Sequence, residues 1–147
     1  MKISVINGPN LNMLGKREPS VYGSKTLGDL QMEMNQVARP LELDLDFFQS
    51  NIEGEIVNYL QLADETSQGV ILNAGGYTHT SVAIRDAVSA ISIPVVEVHI
   101  SNPQAREDFR RSSLLAGVCS GSISGFGFDS YTLALLWFSR KEFFSSR

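Results

Sequence analysis

The sequence predicts a doubly wound α/β fold: a five-stranded parallel sheet of order 2-1-3-4-5 with helices on both faces. Three observations carry that expectation. Short apolar runs alternate with helical patterns, the alternation repeats five times, and the polar residues suited to chemistry fall where the apolar runs end. Such alternation calls for βαβ units. Right-handed crossovers then leave few topologies, and the flavodoxin-like strand order is the best fit.

The elements follow in order. "KISVIN" reads as a buried first strand, and an 18-residue stretch, Ile6 to Gly23, carries the chain out of it through three asparagines, a Lys-Arg-Glu triplet, two prolines and a tyrosine. A loop of this length in a compact chain is usually a lid or a linker. Thr26, with Asp29 three residues on, has the spacing of a capping box for a helix to Ala38, with Leu27, Leu30, Met34 and Val37 as its apolar stripe. "LELDLDFF" alternates with period two and reads as a half-exposed strand. Asn51 is the expected cap of a helix that puts Ile56, Tyr59, Leu60 and Ala63 on one face. "GVILN" is a short apolar strand, and Ser81 starts the next helix. "PVVEVHI" follows as a strand, and Asn102-Pro103 has the cap and first-turn proline of another helix. "GVCSGSISG" reads as a Gly-rich last strand and "YTLALLWFSRKEFF" as a closing helix.

At 147 residues the chain is expected to be one domain, residues 1–147, with enough length to bury a core unaided. A hydrophobic content of 43% with 19% charged residues is ordinary for a globular protein. The lone Cys119 cannot make an internal bridge, so nothing suggests an oxidising compartment. No apolar run approaches the ~20 residues of a membrane span, and the cytoplasm is the expected location. Net charge is −4, and Leu41 to Ser67 holds seven Asp or Glu without a Lys or Arg. That argues against nucleic acid as a partner, whose phosphates demand a basic face. Arginines gather instead at Arg85, Arg106, Arg110 and Arg111, with Arg17 in the long loop.

Ligands of such sheets bind at the carboxyl ends of the strands, near the switch point between the first and third. Asn7 and Asn10 follow strand one, Asn73 ends strand three, and His99, Ser101 and Asn102 end strand four. Both histidines of the chain, His79 and His99, fall on this rim. "EVHIS" sets Glu97 and His99 two apart on a strand, so their side chains share a face. A carboxylate beside an imidazole fixes its tautomer and supports its protonated form, as a general acid requires. The other reading of His99 is a half-buried histidine satisfied by a neighbouring strand. His79, flanked by hydroxyls in "YTHTS", reads alone as a turn histidine. Spacing alone favours a surface Arg17 and a packed Tyr22; the chemical alternative is a tyrosine base whose phenolate a permanent cation favours.

Other chemistries are weaker. "GFGFDS" lacks the third glycine of a dinucleotide fingerprint and reads better as close helix–strand packing. No Gly-Lys-Ser/Thr phosphate loop occurs, and the acid pocket of a phosphorelay receiver is missing because strands one and three end in asparagine. Two histidines with Glu97 could form a facial metal triad, but Glu97 is needed behind His99 and no second carboxylate accompanies His79. Neither a metal nor a cofactor is expected.

Taken together, "NGPNLNMLGKREPSVYG", "QSNIEGEIV", "ILNAGGYTHTSVAIRDA" and "VEVHISNPQAREDFR" closely resemble the type II 3-dehydroquinate dehydratases, in order from about Ile3 to Tyr131. The resemblance implies a cofactor-free lyase of the shikimate pathway or of quinate breakdown. It would dehydrate 3-dehydroquinate to 3-dehydroshikimate by anti elimination through an enolate. It also decides the Arg17–Tyr22 pair for chemistry. By motif, Tyr22 would be the base, Arg17 its tuner, His99 the acid oriented by Glu97, and Asn10 a donor to the enolate through a bound water. Asn73 and His79 would hold ring oxygens, and the amides of Ile100 and Ser101, just before a helix start, would take the carboxylate. Arg110 would grip ring hydroxyls, with Gly75 and Arg106 supporting. Asp86 would reach the site from a neighbouring subunit, in a dodecamer of trimers. One departure is visible: many members read Pro-Gly-Ala or Ala-Gly-Ala where this chain has Ala74-Gly75-Gly76. A binding module that has lost catalysis would have lost Tyr22 or His99, and both are retained. A metal-dependent lyase would be separable by activity in chelator.

Overall fold

Residues 1–16 and 19–140 are described in this computed structural model, Val21 and Tyr22 by their backbone alone. The strands are β1 (Lys2–Asn7), β2 (Asp44–Gln49), β3 (Gly69–Asn73), β4 (Val95–His99) and β5 (Gly121–Ser124). The helices are α1 (Pro19–Tyr22), α2 (Leu27–Ala38), α3 (Glu53–Thr66), α4 (Val82–Ala90) and α5 (Asp129–Phe138). The strands form one parallel sheet of order β2-β1-β3-β4-β5, as the alternation predicts.

Alternation along each strand splits the core into two layers. Ile3 and Val5 of β1, Ile71 of β3, and Val96 and Val98 of β4 pack with Leu30 and Met34 of α2 and Tyr131, Leu135 and Phe138 of α5. Ile6 of β1, Val70 and Leu72 of β3 and Val95 of β4 pack against Ile56 and Leu60 of α3 and Ile84 and Val88 of α4. A Cβ at Gly69 would lie 2.3 Å from the Phe138 ring, so β3 and α5 meet where only a glycine fits. Thr26 and Asp29 close the expected capping box on α2, and Ser81 caps α4 through the Ile84 amide at 2.9 Å.

Five boundaries differ from the sequence reading. The second strand begins at Asp44, because the chain leaves α2 through a turn in which Glu42 has φ 59° and pairing with β1 starts at Lys2–Asp44. Asn51 does not cap α3: Ile52 precedes the helix without a side-chain cap, and the Ser50 hydroxyl accepts from the Ile52 amide at 2.9 Å. Asn102 does cap its neighbour, accepting from the Gln104 amide at 3.1 Å, but the helix is a single 3₁₀ turn, Pro103–Ala105. The Gly-rich run after Ala116 forms a 3₁₀ turn through Val118 before β5 begins, because the Ser113 hydroxyl gathers the Leu115 and Ala116 amides. The closing helix starts at Asp129, and residues 141–147 lie outside the described part.

Candidate active site

A cavity of about 100 Å³, open at its mouth, lies at the carboxyl ends of β1, β3 and β4. It is lined by Pro9, Asn10 and Leu11 after β1, by Asn73, Gly75, Gly76 and His79 around the end of β3, and by His99, Ile100, Ser101, Pro103, Arg106 and Arg110 at and after β4. This is the switch-point position that the strand order anticipates.

Backbone geometry shapes the first wall. Gly8 packs against the turn after β3, where a Cβ would lie 2.5 Å from the Ala74 carbonyl oxygen. Asn10 sits in the left-handed region at φ 69°, which asparagine tolerates, and its amide donates to Asn51 Oδ1 at 3.0 Å. Asn51 thus serves the site rather than α3, and Gln49 Nε2 holds its carbonyl from the other side at 3.2 Å. Gly75 has φ 59° and closes on Pro9, whose carbonyl oxygen would stand 3.0 Å from an added Cβ. Gly76, the departure noted in the sequence, has open space around it and no positive φ. The turn therefore draws its requirement for glycine from Gly75.

His99 is the best-defined group on the opposite wall. Its Nε2 lies 2.5 Å from Glu97 Oε2, and the imidazole is 11% exposed against 1% for the carboxylate. A buried carboxylate needs partners, and Ser113 supplies a second. The Ser113 oxygen accepts the Leu115 and Ala116 amides at 3.1 and 3.0 Å, so its own proton goes to Glu97, at 2.9 and 3.1 Å from the two carboxylate oxygens. With Nε2–H committed to Glu97, the Nδ1 nitrogen is the one left for the cavity. His79 has the complementary arrangement: Nδ1 donates to the Ser112 carbonyl at 2.8 Å, leaving Nε2. His79 is therefore oriented by the backbone and His99 by a carboxylate.

The cations are likewise anchored. Arg110 Nε donates to Glu107 Oε2 at 3.0 Å, and the guanidinium is 22% exposed. That bond, with Arg106 close by, holds the Glu107 carboxyl below its ordinary range. Arg106 donates to the Ser101 hydroxyl at 3.2 Å, tying the segment after β4 to the cavity wall. Ile100 and Ser101 precede a three-residue 3₁₀ turn, so any anion held there relies on local N–H groups and has little helix dipole behind it.

The sequence-derived residues are thus mostly assembled. Asn10, Asn73, Gly75, His79, His99, Ile100, Ser101, Arg106 and Arg110 line one cavity, with Glu97 directly behind His99. Asp86 is exposed on α4 and is not among the residues lining that cavity. Arg17 and the Tyr22 side chain lie outside what the structure describes; the Tyr22 backbone closes α1, whose first carbonyl, Pro19, accepts the Gly23 amide at 2.8 Å. Three supporting contacts escaped the sequence reading: that of Asn51, read as a helix cap, that of Ser113, and those of Tyr131, which bonds both Asn7 and Asn73. Among the described residues no group of three or more His, Cys, Asp or Glu is placed to hold a metal ion. No helix among them is long and apolar enough to cross a membrane.

A sheet of strand order 2-1-3-4-5 with a polar cavity at its switch point defines an α/β protein of the doubly wound class. Comparison with known proteins agrees. The family model described as dehydroquinase class II matches residues 1–139. The 3-dehydroquinate dehydratase of Rhizobium johnstonii is 60% identical over 133 residues, covering 90% of this chain and 92% of that one. The enzyme of the same name from Bacillus licheniformis is 54% identical over 136 residues, covering 92% and 94%. The crystal structure of the type II dehydroquinase from Butyrivibrio crossotus superposes with a TM-score of 0.91 at 43% identity, covering 93% and 96%. The chain belongs to the class II dehydroquinase family, a family of dehydratases.

Proposed function

We propose that this chain is a single catalytic domain that dehydrates 3-dehydroquinate to 3-dehydroshikimate without a cofactor. The elimination is anti and passes through an enolate. The observation that carries the reading is the buried Glu97–His99 pair opening on the same cavity as Asn10, Asn73, His79 and Arg110. The names of the relatives supply the substrate.

Each step has a group suited to it. Removing a proton beside a ketone needs a base, for which we propose Tyr22 with Arg17 favouring its phenolate. The resulting enolate needs donors, and Asn10 supplies one through a bound water. The departing hydroxyl needs a proton; His99 Nδ1 delivers it and the hydroxyl leaves as water, while Glu97 holds the tautomer through Nε2. Asn73 and His79 hold ring oxygens, the amides of Ile100 and Ser101 take the carboxylate, and Arg110 grips ring hydroxyls. Gly75 and Arg106 support them. The setting is the cytoplasm and either the shikimate pathway, toward aromatic amino acids, or quinate breakdown.

A direct ultraviolet assay for the conjugated product tests the reading. Turnover is expected without any addition and unchanged in EDTA. Activity lost in EDTA and restored by a divalent ion would replace the proposal with a metal-dependent lyase.

The working form is proposed to be a homo-oligomer, a dodecamer built from trimers. Its support is the exposed position of Asp86 on α4, outside its own chain's cavity and so available to a neighbour's. Mixing Asp86→Ala subunits with Tyr22→Phe subunits should then give more activity than either variant alone, because some sites receive both intact residues. A fully active monomer in sedimentation at assay concentration would exclude a shared site.

A further inference from the structure

Strands β1 and β3 end on asparagines that stand opposite each other, Asn7 against Asn73. Both side chains bond one phenol, that of Tyr131 in the first turn of α5, at 2.6 and 2.8 Å. Tyr131 is completely buried, Asn7 is 1% exposed and Asn73 is 4% exposed. A hydroxyl enclosed in this way destabilises the fold unless it is bonded, and a phenylalanine would fill the layer without that demand.

The direction of every bond follows from one fixed donor. The Gly75 backbone N–H can only donate, and it lies 3.1 Å from Asn73 Oδ1. That sets the Asn73 amide with Nδ2 toward Tyr131, whose oxygen accepts. The phenol proton is then directed to Asn7 Oδ1. Burial pushes the Tyr131 hydroxyl well above its ordinary range, so it keeps that proton throughout. The two hydrogens of a planar amide diverge at a fixed angle, and with one held by Tyr131 the other has a set direction. Asn73 is among the residues lining the cavity, where that hydrogen would be its donor to a ligand.

We propose that Tyr131 is a positioning residue of the site: it locks the orientation of the Asn73 amide so that Asn73 meets the bound ring as a hydrogen-bond donor. This rests on the functional reading above, in which Asn73 holds a ring oxygen.

The test is a double-mutant cycle read by steady-state kinetics on the full chain in its native assembly. Tyr131→Phe should raise KM for 3-dehydroquinate about tenfold, the worth of one well-placed hydrogen bond, with kcat nearly unchanged. In an Asn73→Ala background the same substitution should raise KM no further. A normal KM in Tyr131→Phe, or a rise that persists undiminished without the Asn73 amide, would show that the phenol serves packing alone. If Tyr131→Phe is insoluble, Asn7→Ala carries the same cycle. It frees the phenol proton to turn toward Asn73, and the rise in KM should again vanish in Asn73→Ala. A wild-type chain inactive on 3-dehydroquinate removes the functional reading and this inference with it. An active wild type with an uncoupled cycle removes only the inference.

Discussion

Replacing His99 by asparagine should lower kcat by about 10²–10⁴-fold, the usual worth of a positioned general acid. The imidazole is the group on the cavity wall whose second nitrogen is already committed to a buried carboxylate, so no neighbouring side chain has its geometry. KM should change less, because Asn73, His79 and Arg110 still line the cavity. Glu97→Gln should lower kcat too, but by a smaller factor. The glutamine oxygen can still accept the Nε2 proton and keep the ring oriented, while the carboxylate charge is gone. The Ser113 hydroxyl can turn to the same amide oxygen. Kinetics of the two variants side by side checks the assignment. If Glu97→Gln proves the more damaging, the carboxylate takes part in the chemistry directly.

Tyr22→Phe should abolish measurable turnover and leave ligand binding largely intact. The ring stays and the proposed base is lost, so the cost should fall on the transition state alone. Arg17→Lys should also be severe, because a compact ammonium does not reproduce a planar guanidinium that is charged at any working pH. Binding of substrate to the Tyr22→Phe chain, measured by calorimetry beside the rate assay, separates the two effects. Near-normal catalysis in that variant would return the loop after β1 to a structural role.

How much of this was legible in advance depends on the range over which each signal acts. Strand order and the helices α2 and α4 were readable because alternation and side-chain caps act within a few residues, as the Thr26–Asp29 box and the Ser81–Ile84 bond do. The Glu97–His99 pair was readable for the same reason, since two positions on one strand must share a face. Asn51 was misread because its local pattern is that of a helix cap, whereas its actual partner, the Asn10 amide, lies 41 positions away. The Asn102-Pro103 signal was correct in kind and wrong in extent: the cap forms, but the turn ends at Ala105. Tyr131 could not be found by spacing at all. Its bonds reach 58 and 124 positions back, and only the pairing of β1 with β3 brings those partners together. Four quoted motifs in a fixed order supplied what local patterns lacked, namely which loop residues belong to one site.

The two-layer core has a consequence for how such an enzyme can change. Glu97 and His99 continue the side of β4 that faces α3 and α4, whereas Asn7, Asn73 and Tyr131 belong to the side packed on α2 and α5. The sheet itself therefore stands between the Glu97–His99 pair and the scaffold that bonds Asn73. Substitutions of Tyr131 and Glu97, behind the two walls of the cavity, share no hydrogen-bond partner and should combine additively in their effects on stability. A designer could retune ring recognition from the α5 side and leave acid strength untouched, or the reverse. The separation makes this small fold a modular starting point for related eliminations on other polyhydroxylated rings.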